Sequence, residues 1–188
     1  MKAIVTKRLV LRDFEKADWR AVQDYASDPE VVRYVDFGPN TEEESRNFIQ
    51  RALASQKEQP RNNFTLAVIL KAKNALIGGC GIYVSKPANR EGYIGYVLNR
   101  NFWKLGYATE TVQALVKFGF EELKLHRIFA TCDAENFASA HVMEKVGMQR
   151  EAHFRENGWV KGKWRDSLLY AILEGEWKKP KPAHNRSN

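Results

Sequence analysis

The sequence predicts one α/β domain on a mixed, mostly antiparallel twisted sheet, and three observations carry that prediction. The chain has 188 residues, 44% hydrophobic and 28% charged, the size and balance of a single packed domain. Its middle is a series of short apolar segments divided by brief turn signals, the spacing of an antiparallel meander. From Gly106 the rhythm changes to helix, strand, helix, so the second half holds a crossover that supplies one parallel strand pair, with helices for both faces. There is no internal repeat and no linker. Residues 1–177 read as the domain and 178–188 as a basic, disordered tail broken by Pro180 and Pro182.

In order, Thr6 to Phe14 reads as a first strand, with Leu9 and Leu11 alternating against Arg8, Val10 and Arg12. Glu15 to Ser27 reads as a helix, stopped before Pro29. A second helix starts at Thr41, because Thr41 and Glu44 have capping-box spacing, each satisfying a free backbone amide. Glu42, Glu43 and Glu44 suit the positive end of that helix dipole, which explains the acidic cluster without a metal. Strands follow over Asn63–Leu70, Leu76–Val84 and Gly92–Leu98. The glycines at 78, 79 and 81 sit inside a strand pattern with no helix after them, so they mark bulges or close packing rather than a nucleotide loop. Thr109 to Leu123 is helical, with Val112, Leu115, Val116, Gly119 and Leu123 on one face. Arg127 to Asp133 is a strand, and Asn136 to Val146 a helix ended by Gly147. Gln149–Asn157 and Lys161–Leu173 form a closing hairpin around Asn157-Gly158.

The formal charge is +7, compatible with nucleic acid, an acidic protein or a polyanionic small molecule. The basic residues are scattered, and no RNA- or DNA-binding motif occurs. No apolar run reaches the roughly 20 residues that cross a bilayer, and the start has no signal-peptide core. The two cysteines, Cys80 and Cys132, lie in strand patterns and read as buried thiols. The absence of a disulfide framework or paired-cysteine metal spacing makes the cytoplasm the expected compartment. No arrangement of histidines suggests a metal, and the oligomeric state is not readable.

The chemically informative stretch is Tyr96 to Glu110, YVLNRNFWKLGYATE. A strand ends, a short loop follows and a helix opens at Gly106-Tyr107-Ala108, a turn whose amides converge on an anion with the helix dipole behind them. It lacks the glycine-lysine-serine/threonine ending of a Walker loop and the glycine triplet of a dinucleotide fingerprint.

This stretch resembles the acetyl-CoA-binding motif of the GNAT superfamily of N-acetyltransferases, Gln/Arg-x-x-Gly-x-Gly/Ala, with Trp103-Lys-Leu-Gly106-Tyr-Ala108 in that frame. The Trp, and the Gly-Tyr-Ala-Thr-Glu that follows, resemble the branch of ribosomal-protein N-terminal acetyltransferases. So do Asn136-Phe-Ala-Ser139 with Glu144-Lys-Val-Gly147, the early Arg8-Leu-Val-Leu-Arg12 and the late Trp164-Arg-Asp166 through Trp177. The likeness spans roughly Thr6 to Trp177 and is specific for the superfamily, not for a substrate.

The resemblance implies that amides from Trp103, Lys104, Leu105, Gly106, Tyr107, Ala108 and Thr109 hold the coenzyme pyrophosphate. The edge of Tyr96, Val97 and Leu98 takes the pantetheine arm as an added strand. A parallel pair splayed at this point leaves a slot for thioester and amine, faced by Asn136 and Ser139. Many relatives have glycine at Lys104, where a positive φ would strain lysine. Many place a proton-donating tyrosine at Met143, so Ser139 becomes the candidate acid for the leaving thiolate. Glu91, acting through a water and sharing a strand face with Tyr93, is the candidate base; His126 and His141 are the other titratable options. Glu110 reads as a dipole or packing residue.

No cysteine is placed for a covalent acetyl group, so direct attack of an uncharged amine is expected. The acceptor is a protein N-terminal amine or a small amine such as an aminoglycoside, polyamine or amino acid, with Arg33, Tyr34, Phe37 and Trp159 as candidate wall. A non-catalytic acyl-CoA- or nucleic-acid-binding module is the reading from another class.

Overall fold

The computed structural model describes residues 1–177, so the tail expected at 178–188 lies outside the described residues. One sheet of eight strands runs in the order β1-β2-β3-β4-β5-β6-β8-β7. The strands are β1 (Ile4–Val5), β2 (Leu9–Asp13), β3 (Asn63–Leu70), β4 (Ala75–Lys86), β5 (Glu91–Leu98), β6 (Arg127–Asp133), β7 (Gln149–Val160) and β8 (Lys163–Leu173). Every neighbouring pair is antiparallel except β5 and β6, which the crossover through α3 (Tyr107–Glu121) makes parallel.

β3 explains how the sheet separates two cores. Its run of apolar residues is buried on both faces, as an internal strand covered by helices requires. Leu66, Val68 and Leu70 join one cluster with Leu9 and Leu11, beneath α3 and α4 (Phe137–Val146). Ala67 and Ile69 join the other, under α1 (Trp19–Ala26) and α2 (Glu42–Ser55). From α3, Val112, Leu115 and Val116 are fully buried, each contributing about 1.5–3 kcal/mol of burial free energy. The short α5 (Glu174–Trp177) follows β8.

Local signals set most boundaries. Glu44 donates its amide to Thr41 Oγ1 at 3.2 Å while Thr41 donates to Glu44 Oε2 at 2.7 Å, the expected capping box of α2. The glycine run of β4 is close packing: a Cβ at Gly78 would lie 2.2 Å from the Val97 carbonyl oxygen. Both cysteines are buried and free. No helix among the described residues is long and apolar enough to cross a membrane.

Several boundaries differ from the sequence reading. Thr6–Phe14 is not one strand: Thr6-Lys7-Arg8 is a tight turn between β1 and β2, closed by the Thr6 hydroxyl, which accepts from the Leu9 amide at 2.9 Å. α3 begins at Tyr107, at the opening read from Gly106-Tyr107-Ala108 and two residues ahead of the periodic stretch from Thr109, because Gly106 caps it with φ +79. The final hairpin turns at Lys161-Gly162, both at positive φ (50° and 80°) as a two-residue type I′ turn needs. Asn157-Gly158 lies inside β7 at a register shift, where Asn157 Oδ1 accepts from Ser167 Oγ at 2.9 Å.

Candidate active site

The site begins where the parallel pair ends. β5 and β6 are in register only from Glu91–Arg127 to Tyr93–Phe129, yet β5 continues to Leu98 and β6 to Asp133. Beyond Tyr93 the strands diverge, and that side of β5 has no strand partner. Asn99 donates its amide to Ile77 of β4 at 2.9 Å. By strand alternation the Leu98 and Tyr96 amides therefore face the opening.

At the end of β5 a one-turn 3-10 helix (Arg100–Phe102) leads into the loop. The Trp103 indole donates to the Leu98 carbonyl at 2.7 Å, pinning that loop against the strand end. Lys104 (φ 60°) and Gly106 (φ 79°) both adopt left-handed backbone before α3 opens. The first helical bond back to the loop is Glu110 N–H to the Gly106 carbonyl, at 3.1 Å. The amides of Tyr107, Ala108 and Thr109 thus lie at the helix start, where they have no intrahelical acceptor and the dipole favours an anion.

This loop is fixed by a residue pair that the sequence reading did not join. Glu110 accepts from Thr6 Oγ1 at 2.6 Å, the Arg8 amide at 2.8 Å and Arg8 Nε at 2.7 Å. Arg8 also donates from Nη1 to the Leu105 carbonyl at 2.9 Å and lies over the Tyr107 ring. Burial pushes the Glu110 carboxyl up, but the bonds from Thr6 and Arg8 outweigh it and leave the pKa below the ordinary value. Arg8 and Glu110 are 102 positions apart, a pairing that neither periodicity nor spacing encodes.

Three polar side chains meet in the slot. Asn136 caps α4 by accepting the Ser139 amide at 3.1 Å. That orients Ser139, whose Oγ lies 2.8 Å from the Tyr96 hydroxyl on β5. Burial pushes the Tyr96 phenol up to about 12. Cys132, on β6, is also here: burial, then the charge of Asp133, pushes its thiol up to about 11, against a smaller downward pull from Ser139. Cys132 lines the slot, although it is buried. A thiol with that pKa is protonated at neutral pH and is a poor nucleophile. Met143 is fully buried in the core.

A cavity of about 840 Å³ opens from the slot toward α1 and α2. Tyr34 and Phe37 line it as expected, with Asp36, Glu44, Phe48, Arg51, Tyr83, Tyr93 and Gly95. Arg33 and Trp159 do not; Trp159 packs edge-on against Trp164 on the exposed hairpin. Glu91 is not brought to the slot either. Its oxygens face Arg127 at 2.8 Å and Lys86 at 3.4 Å, at the end where β5 and β6 remain paired. His126 and His141 are exposed and outside the cavity lining. Among the described residues no group of three or more His, Cys, Asp or Glu is arranged to hold a metal ion.

Parted strands beside a helix start rich in free amides are an arrangement suited to an extended, phosphorylated ligand, and comparison with known proteins gives the class, that of acyl-CoA-dependent transferases. The chain belongs to the GNAT family of N-acetyltransferases: the acetyltransferase (GNAT) domain matches residues 8–149. It is 42% identical over 175 residues to the uncharacterized N-acetyltransferase YnaD of Bacillus subtilis (strain 168), covering 93% of this chain and 98% of that protein. A solved acetyltransferase (GNAT family) from Bacillus anthracis is 41% identical with a TM-score of 0.82, over 93% of this chain and 99% of that one. The ribosomal L7/L12 α-N-protein acetyltransferase RimL, solved in complex with coenzyme A, shares the fold at 21% identity, with a TM-score of 0.81 over 92% of this chain and 98% of that one.

Proposed function

We propose that this N-acetyltransferase moves the acetyl group of acetyl-CoA directly onto a primary amine, with a protein N-terminal α-amine as acceptor. The splay of β5 from β6, with Ser139 between the strands and the amide-rich loop at its end, is the observation that carries the reading. The amides of Tyr107, Ala108 and Thr109, with the loop from Trp103 to Gly106, would hold the pyrophosphate. The open edge of Tyr96 to Leu98 would hydrogen-bond the pantetheine arm, and the inward-facing Leu98 amide would stabilise the oxyanion. Ser139 would protonate the departing thiolate. Cys132 stays a thiol, so no acetyl-enzyme forms.

The acceptor reading follows from what surrounds the amine. With Glu91 held in ion pairs, an acceptor that needs little deprotonation suits the site best. An α-amine, with a pKa of about 7.7–8.0, has a useful neutral fraction at pH 7, whereas a lysine or polyamine amine near 10.4 does not. The charged residues lining the cavity are two acids, Asp36 and Glu44, and one base, Arg51, a slight acidic excess that admits a cationic acceptor of either kind. Thiol release should be measured with acetyl-CoA and, in turn, short peptides with free N-termini, spermidine, an aminoglycoside and free lysine. Turnover of peptides, abolished by blocking the α-amine, is the expected result. Turnover confined to the small polyamines or aminoglycosides would overturn the acceptor assignment.

A further inference from the structure

The bond between Tyr96 and Ser139 crosses the splay, from the middle of β5 to the first turn of α4. The Tyr96 side chain packs against the larger core, and its hydroxyl meets Ser139. That hydroxyl lies 2.8 Å from Ser139 Oγ, a pair in which either oxygen can donate, and 3.3 Å from the Ser139 carbonyl oxygen, with one hydrogen to place. Its high pKa keeps the phenol protonated at every pH where the enzyme would work, so it remains a donor.

A serine hydroxyl rotates freely unless a partner fixes it. The backbone of Ser139 is already set by the Asn136 cap, and the hydroxyl itself is what remains to be oriented. A donor on one side of Oγ leaves the serine hydrogen to point away from Tyr96, toward the opening and the Cys132 side of the slot.

We propose that Tyr96 is a positioning residue: its phenol donates to Ser139 Oγ and so aims the Ser139 hydrogen at the sulfur of the bound thioester. This rests on the assignment of Ser139 as the acid. The amine nitrogen bonds to the acetyl carbon, the carbon–sulfur bond breaks and its electron pair leaves on sulfur. The thiolate takes the Ser139 proton. Ser139 Oγ is reprotonated by the proton that the attacking nitrogen sheds, so the proton lost by the amine ends on the coenzyme thiol. The Tyr96 phenol begins and ends neutral.

The test is a double-mutant cycle with Tyr96→Phe and Ser139→Ala, read as kcat, acetyl-CoA KM and coenzyme affinity. Phenylalanine preserves the ring in the core, and a thermal melt checks the fold. Ser139→Thr, which keeps the hydroxyl, supplies a second variant that leaves Tyr96 in place. Tyr96→Phe is expected to lower kcat about tenfold, with KM and affinity within about twofold. Ser139→Ala should lower kcat about a hundredfold and Ser139→Thr far less. The double variant should be no slower than Ser139→Ala alone, because the phenol then has no hydroxyl to aim. Multiplying effects in the double variant would overturn the inference while leaving Ser139 as the acid. A Tyr96→Phe loss expressed equally in coenzyme affinity would overturn it too, by making Tyr96 a binding residue. A Ser139→Ala variant with near-normal kcat would remove the assignment beneath it.

Discussion

On the side of the slot proposed for the coenzyme, Glu110 accepts from Thr6 and Arg8, Arg8 reaches on to the Leu105 carbonyl, and Trp103 is tied to Leu98. On the side proposed for the acceptor, the segment from Tyr34 to Gly38 crosses between α1 and α2. Asn40 donates to the Ala26 carbonyl at 2.9 Å, and Lys161 at the tip of the last hairpin reaches the Val32 carbonyl. The first wall is held through the buried end of an ion pair, Arg8 with Glu110, the second mainly through neutral bonds, in which Asn40 also accepts from Gln23 Nε2 at 2.9 Å and Gln23 from Ser45 Oγ at 2.6 Å. A shared coenzyme calls for the first, since its pyrophosphate must meet fixed amides. The second can vary in shape without disturbing the sheet, which is how one fold serves different acceptors.

The sharpest way to break this contrast is Glu110→Gln, which removes the charge that binds Arg8. It should weaken acetyl-CoA binding about tenfold by loosening the loop, and lower stability by about 1–3 kcal/mol, toward the lower end because Arg8 is partly exposed. The folded pKa of Glu110 lies below its ordinary 4.5. Its contribution to stability is therefore complete above that ordinary value and lost as pH falls through the lowered one. Denaturant midpoints measured from pH 6 down to pH 3 should fall less steeply in the glutamine variant than in the parent. Equal slopes would mean that the clamp contributes nothing through its charge.

A smaller effect is expected at Lys104, whose φ of 60° is the left-handed geometry that glycine adopts without strain. Lys104→Gly should raise stability by about 0.5–1 kcal/mol, less any gain in unfolded-chain entropy, and a thermal melt will show it. A lower melting temperature would mean that the lysine side chain contributes contacts that outweigh its backbone strain.

How far the sequence foretold these features depends on their range. The slot was foretold through the family resemblance, whose motifs are local: Gly106 before a helix, Asn136 three residues before Ser139, and a crossover from β5 to β6. The Arg8–Glu110 pair was not, since a contact across 102 positions leaves no periodic trace. The tyrosine–serine bond was hidden for the same reason, although both residues were singled out separately. Glu91 and Tyr93 do alternate onto one face as expected. Strand parity cannot show that Arg127, on the neighbouring strand, takes the carboxylate first. The last hairpin shows the limit of turn signals: Asn157-Gly158 fits a two-residue turn as well as Lys161-Gly162. The structure places the Trp159–Trp164 cross-strand pair beside the latter.

The central claim, that the loop before α3 is where acetyl-CoA binds, is tested most directly by titration calorimetry of acetyl-CoA against the protein and its Gly106→Glu variant. A side chain at φ +79, carrying a negative charge to the helix start, should cost about a hundredfold or more in affinity. Tight binding by the parent and its loss in a variant with an unchanged circular dichroism spectrum is the predicted result. Equal binding by both proteins, or none by the folded parent, would contradict the account.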